Sequence, residues 1–128
     1  MRKILIAAAI TGSALTGLAV APAAQAATTQ AGGWGKYFSS DGSAYTYGTS
    51  FSSHGKVYTK WYGQEKSGGK HGYVWFEYYK GGSWHKFAQG WDGKHSSAWS
   101  DQGIKKVYTY TCYGASKFDN CGSKHRIY

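Results

Sequence analysis

From residue 34 onward, apolar and polar side chains alternate with a period of two, and glycine-rich breaks recur every dozen residues or so. Alternation of that kind sends successive side chains to opposite faces of a pleated strand, whereas a helix needs a period of 3.6. It predicts a meander of antiparallel strands with tight turns and no helix. The segments that carry the pattern are 34–38, 44–50, 56–64, 72–80, 84–89, 96–100, 104–113 and 124–128. About eight short strands fit two packed antiparallel sheets, an all-β sandwich, with a small β-barrel as the alternative.

Several segments carry finer expectations. Residues 44–50 place Tyr45 and Tyr47 on one face, with Gly48 marking a bulge. Residues 56–64 alternate Val57, Thr59 and Trp61 against Tyr58, Lys60 and Tyr62, and are expected to form a hairpin with residues 72–80 around Ser67-Gly68-Gly69. The run from Tyr73 to Tyr79 is apolar on both faces apart from Glu77, which predicts a central strand with Val74, Phe76 and Tyr78 turned inwards. Gly81-Gly82 supplies the positive φ of a tight reversal. In 104–113, Ile104, Lys106, Tyr108, Tyr110 and Cys112 share one side, and Lys105, Val107, Thr109 and Thr111 the other.

The N-terminus has a different grammar. Arg2 and Lys3, an apolar run from Ile4 to Val20, Pro22 and then Ala24-Gln25-Ala26 before Ala27 make the three parts of a secretory signal peptide. The run is broken by Thr11, Gly12, Ser13, Thr16 and Gly17, and falls short of the ~20 mainly apolar residues of a membrane span. The sequence therefore predicts a signal peptide over 1–26, a flexible leader over 27–33 and one β domain over 34–128, exported and without stable membrane insertion once the signal is removed. Cleavage after Ala26 leaves 102 residues, enough for a single core.

Loss of Arg2 and Lys3 leaves thirteen basic residues against six acids, a net charge of about +7. All but Arg126 of those bases are lysine, and arginine is the side chain that holds a base edge bidentately, so nucleic acid is not an expected partner. Every one of the 23 aromatic residues follows the signal, too many for one small core. Some are expected to face water, as in the stacking faces and docking patches where Tyr and Trp are common. The candidate binding surface read from the sequence is Trp34, Trp61, Trp75, Trp84, Trp91 and Trp99. Cys112 and Cys121 are the only cysteines, and in an exported chain they are expected to form a disulfide worth about 2–3 kcal/mol.

Catalysis is poorly supported by the inventory. Asp41, Glu65, Asp92, Asp101 and Asp119 lie in or beside expected turns, and Glu77 reads as half of a surface ion pair with a lysine. His54, His71, His85, His95 and His125 lie apart and never at metal-ligand spacing, and no nucleophile elbow or phosphate loop occurs, so neither metal nor cofactor is expected. The reading this leaves is a secreted, non-catalytic protein-binding adaptor that acts on another exported or cell-surface protein through exposed aromatic surface; the alternatives are a glycan or cell-wall module and an antimicrobial or hydrolase inhibitor.

With its Ala-rich signal, glycine-rich leader and late cysteine pair, the chain resembles small exported β-sandwich proteins of actinobacteria. That resemblance implies a sandwich of about a hundred residues and, as in some members, an adaptor role in the secreted toxin assemblies called umbrella particles. Over some thirty residues, Gly32-Gly33-Trp34 and Ser43-Ala44-Tyr45 also resemble the start of lactococcin-972-like bacteriocins, which implies an antimicrobial role.

Overall fold

The alternation resolves into eight strands in the computed structural model, which describes residues 32–66 and 68–128. They are β1 (Gly32–Phe38), β2 (Ala44–Ser53), β3 (Lys56–Glu65), β4 (His71–Lys80), β5 (Ser83–Trp91), β6 (Lys94–Gln102), β7 (Ile104–Gly114) and β8 (His125–Arg126). The expected signal peptide and residues 27–31 of the expected leader lie outside the described residues. Gly32 and Gly33, read as part of that leader, instead pair with Ser50 and Thr49 at the start of β1.

Two four-stranded antiparallel sheets result, in the orders β1-β2-β3-β6 and β5-β4-β7-β8. The fold is the all-β sandwich that the period implied, and the sheets do not close into a barrel. The expected hairpin between 56–64 and 72–80 does not form. Instead β3 pairs with β2 around His54-Gly55, whose φ angles of 53° and 78° suit a tight left-handed turn, and with β6 on its other side. β3 and β4 each carry a strongly apolar face, and placing them in opposite layers lets those faces cover one another, with the Trp61 and Phe76 rings 6.4 Å apart. The β4–β5 hairpin turns at Gly81-Gly82 as expected, and β4 is central, with Val74 and Phe76 fully buried.

Irregularities fall elsewhere than the sequence suggested. Gly48 is not a bulge but an inward position, where a Cβ would stand 2.9 Å from Cζ2 of Trp34. The register shifts lie between Gly35 and Tyr37 in β1 and between Tyr79 and Lys80 opposite β7. At the second, Lys80 pairs with Ile104 and Tyr79 with Lys106, so Lys105 is the extra residue. Ile104 is thereby carried to the buried side, away from the face it was expected to share with Lys106.

Small residues make room for indoles in the core. Trp91 lies between Gly63 and Gly72, where an added Cβ would meet its ring at 2.7 and 2.6 Å respectively. Hydroxyls supply the polar links: Thr46 Oγ1 and Thr111 Oγ1 are 2.8 Å apart across the two sheets, both fully buried. Trp34 Nε1 donates to Ser50 Oγ at 3.1 Å, and Ser50 Oγ lies 3.1 Å from Thr59 Oγ1. Breaking one half of the threonine pair strands a desolvated hydroxyl, so Thr46→Val or Thr111→Val is expected to lower stability by about 1–3 kcal/mol. The double variant has no orphan and is expected to recover most of that loss, which urea unfolding of all four proteins measures.

Candidate functional site

Because Ala44, Thr46, Gly48 and Ser50 of β2, and Val57, Thr59, Trp61 and Gly63 of β3, point inwards, the intervening residues are forced outwards. Strand pairing then lines those residues up in rows across the first sheet. One row runs Phe38, Tyr45, Gln64 and Lys94, and the next Gly35, Tyr47, Tyr62 and Ser96. Below these lie Thr49, Lys60 and Ala98, then Phe51, Tyr58 and Ser100.

The rings form a connected ladder. Tyr47 and Tyr62 stack at 5.2 Å with planes 19° apart, Tyr45 and Tyr47 at 6.3 Å, and Phe38 tilts against Tyr45 at 5.4 Å. A further pair, Phe51 and Tyr58, stacks at 5.1 Å. Lysines stand over these rings: Lys36 Nζ is 4.6 Å from the Tyr45 centroid, Lys60 Nζ 5.8 Å from that of Tyr62 and Lys56 Nζ 6.0 Å from that of Tyr58. Such cation–π contacts hold a lysine close to the face without neutralising it.

Two depressions interrupt the face. The larger, 480 Å³, is lined by Tyr47, Tyr62, Gly63, Gln64, Lys94, His95 and Ser96. The smaller, 350 Å³, is lined by Phe38, Gly42, Ser43, Tyr45, Gln64, Glu65 and Lys66. Gln64 borders both and accepts a hydrogen bond from the Tyr45 hydroxyl at 3.0 Å, which fixes the ring between them. Beside the smaller one, Glu65 Oε2 accepts the Gly93 N–H at 2.6 Å. No outward position of β1, β2, β3 or β6 carries a carboxylate.

The six tryptophans read from the sequence as a binding surface do not form one. Trp34, Trp61 and Trp91 are core residues, because their strand faces are the ones that meet the opposite sheet. Trp75 does point away from the core, yet it is 4% exposed. The loop closed by the Cys112–Cys121 disulfide covers it: Trp75 Nε1 donates to the Lys117 carbonyl at 2.7 Å, and Phe118 lies over its ring at 5.3 Å. Trp99 is half-buried against Phe76, Tyr78 and Phe87. Trp84 alone of the six is truly exposed, at 51%, on the outer face of the second sheet beside Tyr79, Tyr108 and Lys106. The tyrosines of the first sheet do stand outward, and the signal for that placement was the opposition of Tyr58-Lys60-Tyr62 to Val57-Thr59-Trp61.

All six carboxylates have structural partners. Glu77 meets Lys124 Nζ at 2.8 Å, the ion pair the sequence suggested; Asp101 meets Lys80 at 2.8 Å and Asp92 meets His71 at 2.6 Å. Asp119 accepts the N–H groups of Ala115 and Ser116. The hydrogen bond from Lys80 holds Asp101 below the ordinary carboxylate range. Burial pushes Asp41 up, but hydrogen bonds from Ser39 and Ser43 outweigh it and leave the group lowered. Among the described residues no cluster of three His, Cys, Asp or Glu side chains is placed to hold a metal ion.

On the second sheet, burial against Trp75 and the neighbouring Glu77 carboxylate push the Tyr110 hydroxyl up to about 12. The folded protein therefore keeps that proton when the unfolded chain, titrating near ~10, has lost it. Stability is expected to fall as pH rises through the window from ~10 to ~12, and Tyr110→Phe to flatten that part of the fall. Chemical unfolding at stepped pH checks this.

Compared with known proteins, the chain matches no family model, no curated protein and no solved structure.

Proposed function

We propose that the protein is a non-catalytic binding module, exported and acting by contact outside the cell, and that its ligand is a glycan held on the outer face of the first sheet. The observation that carries the reading is the ladder of Phe38, Tyr45, Tyr47 and Tyr62 beside two shallow depressions. Amphipathic rings of this kind offer apolar faces to the C–H sides of sugar rings and hydroxyls to their O–H groups. Gln64, Ser96 and Ser43 add uncharged hydrogen-bonding groups at the margins.

The adaptor reading is less well served by this surface. Of the residues on which protein hot spots centre, this face has tyrosine, but five of the six tryptophans are withdrawn and Arg126 lies on the second sheet. The two depressions are open and rimmed by lysine.

Retention of the mature protein on insoluble wall polysaccharide, run beside affinity capture from culture supernatant, tests the proposal. Glycan retention with the polymer left uncleaved is the expected result. A stoichiometric protein partner without glycan retention supports the adaptor instead, and release of sugar fragments would make the protein an enzyme.

A further inference from the structure

The charge on the tyrosine face goes beyond what a neutral sugar needs. Every ionised side chain standing outward from the four strands of the first sheet is a lysine: Lys36, Lys56, Lys60 and Lys94. Lys94 also lines the larger depression and Lys66 the smaller. Of the acids near this face, Glu65 lines the smaller depression with Oε2 on the Gly93 N–H, Asp41 accepts from Ser39 and Ser43, and Asp101, on the inward side of β6, pairs with Lys80. Neutral-sugar sites use carboxylates and amides to accept hydroxyl protons; on this face the Gln64 amide can still do so, but the outward charged groups are all donors without acceptor capacity.

Resting on the glycan reading, we infer that the ligand is a polyuronate, a polysaccharide with a carboxylate on its sugar rings. Both halves of the face are then used at once. Sugar rings suit the ladder, whose centroids step 6.3 Å from Tyr45 to Tyr47 and 5.2 Å from Tyr47 to Tyr62. Repeated anions suit Lys36 and Lys60, which stand 4.6 and 5.8 Å from the centroids of Tyr45 and Tyr62. A polyol phosphate supplies anions without rings. Nucleic acid supplies both, but the arginine fork that grips phosphate is absent from this face.

Isothermal titration against polygalacturonate, alginate and polyglucuronate, with carboxyl-reduced polygalacturonate and oligo(dT) alongside, tests the inference. The expected result is binding to at least one polyuronate that weakens steeply with added salt and drops about tenfold or more on carboxyl reduction. Lys60→Gln with Lys94→Gln, both at solvated positions, is expected to weaken polyuronate binding and to flatten its salt dependence, and a pair that binds with native affinity and salt dependence overturns the charge assignment. Equal affinity for the reduced polymer overturns the charge assignment while the glycan module stands. Oligo(dT) bound as tightly as the best polyuronate overturns the polyuronate in favour of a general polyanion. Failure to bind any of the three polyuronates overturns the inference, and retention on neutral wall glycan then decides whether the glycan reading survives.

Discussion

Trp61→Ala is expected to lower the unfolding free energy by about 3–5 kcal/mol, the largest stability effect of any single truncation considered. The ring is 1% exposed and packs on Phe76 at 6.4 Å, on Trp91 at 5.6 Å and on His95 at 5.5 Å. Its loss removes apolar contact from both sheets and leaves a cavity that the rigid pleats close only in part. A domain of this size commonly has about 5–15 kcal/mol in total, so the variant retains little margin. Trp84→Ala is the matched control, because it deletes the same side chain from the outer face of the second sheet. A loss of about 1 kcal/mol or less is expected there, from the pairs with Tyr79 and Tyr108. Urea unfolding of the two variants separates a core tryptophan from a surface one without reference to any ligand.

The second large effect concerns binding. Tyr47→Ala combined with Tyr62→Ala removes the closest stack of the ladder and one wall of the larger depression. Each exposed ring that carries contact energy is worth more than about 1 kcal/mol, so the pair is expected to weaken ligand binding by about a hundredfold. Both side chains point away from the core, and the midpoint of unfolding is expected to shift little. Titration of the retained glycan against native and variant protein measures the first; the same urea experiment measures the second. A double variant that binds as the native protein does would move the site off this face.

The strands were legible because alternation acts on each segment separately, and the observed elements differ from the expected ones mainly at their ends. Pairing was less legible. Whether β3 lies beside β4 or opposite it depends on which apolar faces meet, and that is settled by the packing of Trp61 against Phe76 rather than by anything local to Ser67-Gly68-Gly69. The inward positions of β4 could be read because Glu77 alone broke its outward face. Ile104 could not, since one extra residue at Lys105 reverses its side.

For the site, the aromatic excess correctly implied exposed rings, among them Phe38, Tyr47 and Trp84, but the bulkiest were mistaken for the outermost. The core holds its large indoles because glycine and small hydroxyl residues face them, as Gly63 and Gly72 face Trp91. That complementarity lies between strands distant in sequence. The burial of Trp75 was hidden for a related reason: its cover is the loop closed by Cys112 and Cys121, and the cysteine pairing was readable while the destination of Phe118 was not. The tyrosines, by contrast, share their faces with lysine at positions 60 and 36, and a strand face that mixes rings with ammonium groups belongs in water.

Backbone and tyrosine-ring chemical shifts of the folded domain, followed as a soluble polyuronate oligomer is added, test the central assignment most directly. The account predicts shifts concentrated at Tyr45, Tyr47, Tyr62, Gln64, Lys60 and Lys94, with Trp84 and Tyr108 on the opposite sheet undisturbed and the oligomer intact afterwards. Shifts centred on Trp84, or an oligomer cut during the titration, would contradict it.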